Sequence, residues 1–167
     1  MKNVKRVCAQ NIARSPQDAP GGYREAKPGK VYPNGCKDAS QGVLVARVEI
    51  PYPDTKRAMS EWNRRFSLNA YYAGKHYQRR RDAEFWHLLT KKYMEECKVR
   101  RDPVSFPVKM RFSFNDRLDC SNHAAIVKFV EDGMKGRIIK DDNRRHVKEI
   151  DVAFHNEPYI LVEVWEA

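Results

Sequence analysis

The chain has 167 residues, of which 32 are Lys or Arg and 22 are Asp or Glu, so its formal net charge is +10. A chain of this length is expected to form one domain, with a core that needs neither disulfides nor structural metal. No run approaches the ~18 consecutive apolar residues of a membrane span, and the first residues lack the apolar centre of a signal peptide. We therefore expect a cytoplasmic or nuclear protein with no membrane partner.

The charge and the cysteines restrict the function further. A pI near 9.5 favours a polyanionic partner, and the absence of a membrane-type amphipathic helix favours nucleic acid over lipid. The cysteines are widely spaced and form no CxxC pair, which argues against a zinc ribbon and a disulfide framework. They are Cys8, Cys36, Cys97 and Cys120.

Residues 1–42 differ in composition from the rest of the chain. They contain four of the nine prolines and five of the eight glycines, with eight basic and three acidic residues and no hydrophobic period. This pattern predicts an irregular basic N-terminal arm. Two interpretations of the arm stay open, a segment that wraps nucleic acid and a poorly ordered terminus. Residues 43–167 are predicted to form the folded domain.

The first half of that domain gives a mixed signal. Alternating apolar and polar residues predict a strand over 43–50, ended by Pro51 and Pro53. Residues 54–81 are interpreted as a long basic loop or a broken helix. A helix is predicted over 82–97, with Asp82 as its N-cap. Its apolar stripe is expected to contain Phe85, Leu88, Leu89 and Met94.

The second half is clearer. It predicts a strand over 108–114, a helix over 121–134 stopped by Gly133 and Gly136, and a third strand over 150–154. A nearly continuous apolar strand over 159–165 is expected to form a hairpin with the third strand. The fold class is therefore α/β (α+β), with a small mixed β-sheet of about four strands and two main helices.

A basic stretch between residues 56 and 81 is the first candidate for function. It holds eight basic residues and one acid, interleaved with aromatic side chains. Basic groups neutralise phosphates and aromatic rings stack on unpaired bases, so this stretch predicts nucleic-acid binding. The alternative is a solvated basic loop whose aromatic residues pack in the core. The candidate DNA-binding residues are Arg64, Arg65, Lys75, Arg79, Arg80 and Arg81.

A group of acids is the second candidate. Asp119 follows the 108–114 strand, Lys128 and Asp132 are four apart on the next helix, and Asp141 and Asp142 precede the third strand. If the helix packs beside that link, Asp119 and Asp142 meet at the end of the sheet with Asp132 nearby. Converging carboxylates suit Mg²⁺, which polarises a phosphodiester and supplies a hydroxide, and Lys128 is placed to stabilise negative charge.

Each of these residues also has a purely structural explanation. Asp119 or Ser121 caps the helix, and Lys128 with Asp132 forms a surface ion pair worth less than ~1 kcal/mol. Residues 141–143 form a turn. Residue spacing alone leaves both explanations open.

These segments resemble the RusA family of Holliday junction resolvases, especially its phage-borne members. That family has Asp-x-Asp-Asn at a helix start, a Lys and an Asp along the helix, and an Asp-Asp pair before the next strand. The resemblance covers roughly residues 43–167. The matching segments are Arg117-Leu118-Asp119-Cys120-Ser121-Asn122, then Lys128, Glu131-Asp132-Gly133 and residues 136–142.

The sequence departs from the family pattern at two places. Ser121 stands where the second Asp is expected, and Lys128 follows Asn122 by six residues where the commoner form has three. The family roles therefore transfer best to Asp142, well to Asp119 and Lys128, and weakly to Ser121. A lost carboxylate fits a one-metal site, replacement by Asp132 or Asp141, or reduced activity.

The resemblance implies a homodimeric endodeoxyribonuclease that resolves four-way DNA junctions in the cytoplasm of a bacterial host, encoded by the host or by a phage. A two-fold dimer matches the two equivalent strands of a junction. The implied cofactor is Mg²⁺, for which Mn²⁺ can substitute, with no small-molecule cofactor. Two other functions stay open: a branched-DNA-binding protein that has lost catalysis, which Ser121 favours, and a basic RNA-binding protein. The implied catalytic residues are Asp119, Lys128 and Asp142, and the implied metal ligands are Asp119, Asp132, Asp141 and Asp142.

Overall fold

The computed structural model describes residues 37–38 and 42–167, so the arm predicted for residues 1–42 lies almost entirely outside the described residues. In chain order the described elements are two strands, three helices, one strand, a 3₁₀ turn, one helix and two strands. They are β1 (Lys37–Asp38), β2 (Gly42–Pro51), α1 (Lys56–Phe66), α2 (Leu68–Ala73), α3 (His76–Glu96), β3 (Val108–Phe114), a 3₁₀ turn (Cys120–His123), α4 (Ala124–Met134), β4 (Val147–Phe154) and β5 (Tyr159–Glu166).

Four long strands form one mixed sheet in the order β2-β5-β3-β4, and the two-residue β1 pairs with the outer side of β2. β5 is antiparallel to both β2 and β3, whereas β3 and β4 are parallel. The predicted α/β (α+β) class with about four strands is therefore confirmed. The described chain contains four α-helices, two more than the prediction of two main helices.

The predicted hairpin between the last two strands is wrong. β5 lies between β2 and β3, while β4 lies beyond β3 at the edge of the sheet. Residues 155–158 cross the end of β3, where the His155 N–H donates to the Phe114 carbonyl at 2.9 Å. The apolar composition of β5 accounts for this order, because it buries Ile160, Val162 and Val164 in the centre of the sheet.

The core lies between the sheet and the helices α3 and α4. Helix α4 lies close to α3 because Gly133 faces Thr90, and a Cβ added at position 133 would be 3.0 Å from the Thr90 Cβ. Gly133 thus allows close helix packing, and α4 ends at Met134, the end that the sequence predicted. The buried residues of β3 on the core face are Val108, Met110, Phe112 and Phe114.

Residues 54–81 form a broken helix, one of the two predicted alternatives. Thr55 caps α1 by accepting a hydrogen bond from Ala58 N at 3.1 Å, and Ser67 caps α2 by accepting one from Ala70 N at 3.2 Å. Helix α3 begins at His76, so Asp82 lies inside it and is not its N-cap. Leu88, predicted to be in the apolar stripe, is 43% exposed.

Among the described residues, no helix combines the length and the apolar character needed to cross a membrane.

Candidate functional site

Acidic and basic side chains of α4 and the loops after it meet at one place. The Lys128 ammonium nitrogen (Nζ) donates hydrogen bonds to Asp132 Oδ1, at 3.0 Å, and to Asp142. Glu131 Oε2 lies 3.9 Å from the same nitrogen. Lys135 Nζ contacts Asp132 at 2.7 Å and Asp142 at 3.1 Å. These five residues are called the lysine–carboxylate cluster.

Helical spacing and one chain reversal build this cluster. Residues three and four apart are neighbours on a helix, which places Glu131 and Asp132 beside Lys128. The chain then reverses through Gly136, whose φ of 74° favours glycine and whose N–H donates to Ile139 O at 2.8 Å. Because Ile139 is buried, the reversal is anchored in the core and returns Asp142 to the helix.

The two lysines keep the cluster charged. Hydrogen bonds from Lys128 and Lys135 hold the pKa of Asp142 far below its usual range. Burial acts to lower the pKa of Lys128, but its hydrogen bonds to Asp142 and Asp132 outweigh this and raise it. The pKa of Asp142 in the folded chain therefore lies below the unfolded value of about 3.9. The ion pairs of Asp142 stabilise the fold fully above that pH, and this stabilisation is lost as the pH falls towards the folded pKa. Burial raises the pKa of Glu131.

Two other predicted metal ligands have different contacts. Asp119 Oδ2 accepts a hydrogen bond from Asn122 Nδ2 at 3.3 Å, and Asp119 makes no side-chain cap to the 3₁₀ turn that it precedes. Asp141 stabilises a turn, accepting from Asp142 N at 3.0 Å and from Asn143 Nδ2 at 2.7 Å. The structure therefore brings Asp132 and Asp142 together, while the side-chain contact of Asp119 within the described residues is with Asn122.

The cluster fits Mg²⁺ in the kind of donor that it offers. Glu131, Asp132 and Asp142 supply carboxylate oxygens, the hard ligands that Mg²⁺ prefers. These oxygens are gathered around lysine ammonium groups. In residues 37–38 and 42–167, no three or more His, Cys, Asp or Glu side chains surround a common point that could hold a metal ion.

A buried polar network supports the loop between β3 and α4. His123 Nε2 and Asp116 Oδ1 are 2.9 Å apart, and both side chains are fully buried. The Tyr52 hydroxyl donates to Asp116 at 3.4 Å and accepts from Asn115 N at 2.9 Å. Burial and the Asp116 charge raise the pKa of Tyr52. This network, which the sequence did not reveal, fixes the chain just before Asp119.

Helix α2 lies in the chain between the basic residues of α1 and those of α3, and it packs near the 3₁₀ turn that follows Asp119. Helix α2 contacts both that turn and α4, with the Tyr71 and Phe129 ring centroids 5.8 Å apart. Arg79 is half-buried, and its Cζ atom lies over the Tyr71 ring, 5.5 Å from the ring centroid. The other four basic side chains are exposed. The residues Arg64, Lys75, Arg79, Arg80 and Arg81 are called the basic surface.

Arg65 does not belong to the basic surface, although it was predicted to bind DNA. Its guanidinium donates to Asp82 Oδ1 from Nε at 2.9 Å and from Nη2 at 2.6 Å. Gln78 donates to the same oxygen at 2.9 Å. Asp82 is buried, so Arg65 joins α1 to α3 through an ion pair within the chain.

Asp82→Ala is expected to lower the free energy of unfolding by about 2–3 kcal/mol, because it leaves Arg65 half-buried without its partner. Urea denaturation measures this loss. Glu84→Ala removes an exposed acid from the same helix and is the matched control, with an expected change within about 0.5 kcal/mol. Equal stability of the two variants would show that the ion pair is not structural.

Comparison with known proteins gives no family assignment. The chain has no significant match to a protein-family model, a curated protein or a solved structure. Membership of the RusA family therefore stays a prediction from the sequence.

Proposed function

We propose that the protein is a metal-dependent, structure-selective endodeoxyribonuclease that resolves Holliday junctions or other branched DNA by paired phosphodiester hydrolysis. The main supporting observation is that α4, which carries part of the lysine–carboxylate cluster, packs against α2, the helix between the basic residues of α1 and those of α3. Lys128 and Asp132 lie on α4, and α2, at the centre of the basic segment, packs against it. Cationic groups bind the DNA backbone and carboxylates bind a divalent cation, which are the two requirements of this reaction.

In this proposal each group of residues has its own task. The basic surface binds phosphates on either side of the scissile bond. Lys128, whose side chain is 52% exposed, leaves the carboxylates to stabilise negative charge on the phosphate. Its flexible stem allows this movement. Asp132 and Asp142 would hold Mg²⁺ or Mn²⁺, and the resemblance implies Asp119 and Asp141 as the further ligands.

A bound divalent ion in such a site polarises the phosphodiester and lowers the pKa of a bound water. The proposal also places the protein in the cytoplasm of a bacterial host. It acts there as a homodimer whose two sites cut the two equivalent strands of a junction. No small-molecule cofactor takes part.

A second candidate function is binding of branched DNA without cleavage. Its supporting observation is that Lys128 and Lys135 neutralise Asp132 and Asp142, the carboxylates otherwise assigned to the metal. Ser121 also offers a hydroxyl, a weaker ligand for Mg²⁺ than a carboxylate.

Substrate choice distinguishes these functions. The protein is incubated in Mg²⁺ with an end-labelled four-way junction, a linear duplex of the same sequence and an RNA hairpin. Paired nicks in opposite strands of the junction, with the linear duplex intact, support the nuclease. Retention of the uncut junction supports the binding protein, and preferential retention of the RNA contradicts both.

Neutralising two exposed residues of the basic surface tests its role in DNA binding. Arg80→Gln/Arg81→Gln is expected to weaken junction binding and to make it less dependent on salt. The slope of log affinity against log salt is expected to become shallower by roughly 0.9 for each phosphate that the protein no longer neutralises. The control is Arg100→Gln/Arg101→Gln, which removes the same charge from exposed positions beyond the other end of α3. Binding titrations at several salt concentrations give the slopes. The same slope for both variants would remove this surface from the DNA-binding site.

A further inference from the structure

Two exposed arginines, Arg144 and Arg145, follow the lysine–carboxylate cluster in the chain. Within the described part of the chain, neither of them forms a salt bridge. By contrast, Arg65 and Arg137 each pair with an acid of α3 and so help to hold the fold together. Arg144 and Arg145 are called the turn arginines, and their charge is not used within the described fold.

A hydrogen-bonded turn presents the turn arginines to solvent. Asn143 Oδ1 accepts a hydrogen bond from Arg145 N at 2.9 Å, and Asn143 O accepts one from His146 N at 2.9 Å. The next carbonyl, His146 O, accepts from Val108 N at 2.8 Å, which ties the turn to the start of β3. Because the backbone is held at these points, a ligand of the arginines has to order only their side chains.

The turn lies beside the lysine–carboxylate cluster. Arg144 follows Asp142 by two residues, so their Cα atoms are at most about 7.6 Å apart. Asp142 in turn contacts Lys128 of α4. A ligand of the turn arginines therefore lies next to the residues to which the proposed function assigns the metal and the phosphate.

Basic side chains approach α4 from two directions. Phe129 of α4 packs against Tyr71 with ring centroids 5.8 Å apart, and Arg79 of the basic surface lies over the same Tyr71 ring. The preceding residue of α4, Lys128, contacts Asp142 and so faces the turn. Adjacent residues of a helix point about 100° apart. Helix α4 therefore lies between the basic surface and the turn arginines.

The charges of the turn favour a phosphate as the ligand. Asp142 is already paired with Lys128 and Lys135, so it does not neutralise the turn arginines. Lys140, at the other end of the same link, is a further exposed basic residue. A guanidinium group binds a phosphate through two parallel hydrogen bonds, which makes arginine well suited to a nucleic-acid backbone.

We propose that the turn arginines bind phosphates of the same DNA molecule that the basic surface holds, on the other side of α4. The ligand, branched DNA, rests on the proposed function, but the inference concerns binding and not cleavage. DNA that is held on both sides of α4 passes over the lysine–carboxylate cluster, which brings a phosphodiester to the carboxylates. The turn arginines lie outside residues 56–81, the stretch that the sequence predicted to bind DNA.

Salt-dependent binding of a four-way junction in EDTA tests this proposal without cleavage. Arg144→Gln/Arg145→Gln is expected to make the slope of log affinity against log salt shallower by roughly 1.8, at about 0.9 for each of two phosphates. Arg144→Lys/Arg145→Lys keeps both charges and is expected to keep the parent slope. The control Arg100→Gln/Arg101→Gln removes the same charge from exposed positions and is also expected to keep it. Circular dichroism checks that each variant is folded.

A combined variant tests whether one DNA molecule contacts both sides of α4 at once. If the two groups of basic residues bound DNA independently, removal of either would leave the other to bind with its own slope. For simultaneous contact, Arg80→Gln/Arg81→Gln/Arg144→Gln/Arg145→Gln is expected to lose the sum of the two slope changes, because separate contacts add.

Three results would overturn the proposal: a parent slope in Arg144→Gln/Arg145→Gln, an equal loss of slope in the lysine variant, and no further loss in the combined variant. Failure of the nuclease hypothesis is a separate result. A parent chain that cuts nothing, with the expected slope changes in the variants, contradicts the nuclease and supports the turn arginines. A parent chain that cuts the junction, with no slope change in Arg144→Gln/Arg145→Gln, does the reverse. No junction binding by the parent chain overturns both.

Discussion

Asp142→Asn is expected to lower the rate of junction cleavage by roughly a hundredfold or more while the chain stays folded. The amide keeps the size of the carboxylate but loses the negative charge that a hard divalent cation requires. Stability is expected to change by about 1 kcal/mol or less, because the ion pairs of Asp142 with Lys128 and Lys135 are partly exposed and screened by solvent. Junction affinity is expected to be equal or slightly higher, since one acid facing phosphate is removed. Single-turnover cleavage, junction titration and urea denaturation measure the three quantities.

Further variants show whether the effect of Asp142→Asn is specific to the proposed metal ligands. Asp119→Asn is expected to behave like Asp142→Asn, whereas Glu149→Gln removes an exposed acid of β4 and is expected to leave cleavage unchanged. Ser121→Asp adds a carboxylate, and faster cleavage by it would show that the serine weakens the site. If Asp142→Asn and Asp119→Asn both cleave at the parent rate, the contacts of these acids with Lys128, Lys135 and Asn122 are structural only, and the nuclease hypothesis fails.

Trp62→Ala is expected to lower the free energy of unfolding by about 3–5 kcal/mol. Trp62 is 1% exposed, and its ring packs edge-on against Phe66 and Trp86, with centroids 4.8 and 4.9 Å away. A domain has only about 5–15 kcal/mol of stability, so this loss is a large part of it. Urea denaturation of the variant and the parent measures the change.

Exposed aromatic residues provide the control for Trp62. Tyr72 and Tyr77 come from the same basic stretch and are 72% and 60% exposed. Their alanine variants are expected to retain stability within about 0.5 kcal/mol. Each is expected to lose about 1–3 kcal/mol of DNA binding if it stacks on a base. A stable Trp62→Ala with weakened DNA binding would instead assign Trp62 to base stacking.

The sequence predicted those parts of the fold that depend on local patterns. Alternation located β2 and β3. The N-caps Thr55 of α1 and Ser67 of α2 are residue types common at helix starts, but the prediction of a loop or a broken helix did not use them. The position of β5 was missed, because a short link between two strands suggests a hairpin. The apolar run of β5 was the available signal for a central strand, since a central strand is buried more completely than an edge strand.

In the candidate site too, the contacts within one helix were predictable from the sequence and the contacts between distant segments were not. Helical spacing relates Lys128 to Asp132, and the same spacing would have revealed Glu131 and Lys135. The contact of Asp142 depends on the reversal at Gly136, which spacing alone does not define. Arg65 was assigned to DNA because a count of charges along the sequence does not show which side chains pair with each other. Its partner, Asp82, lies on another helix of the same chain.

Removal and return of the divalent metal is the most direct test of nuclease activity at the lysine–carboxylate cluster. A four-way junction labelled on each strand in turn is incubated with the protein in Mg²⁺, then in EDTA, and then in excess Mg²⁺. We predict symmetric nicks in two opposite strands that appear in Mg²⁺, stop in EDTA and resume when Mg²⁺ is restored. Cleavage that continues in EDTA, or a folded protein that binds the junction but cuts it in neither Mg²⁺ nor Mn²⁺, would contradict the proposed function.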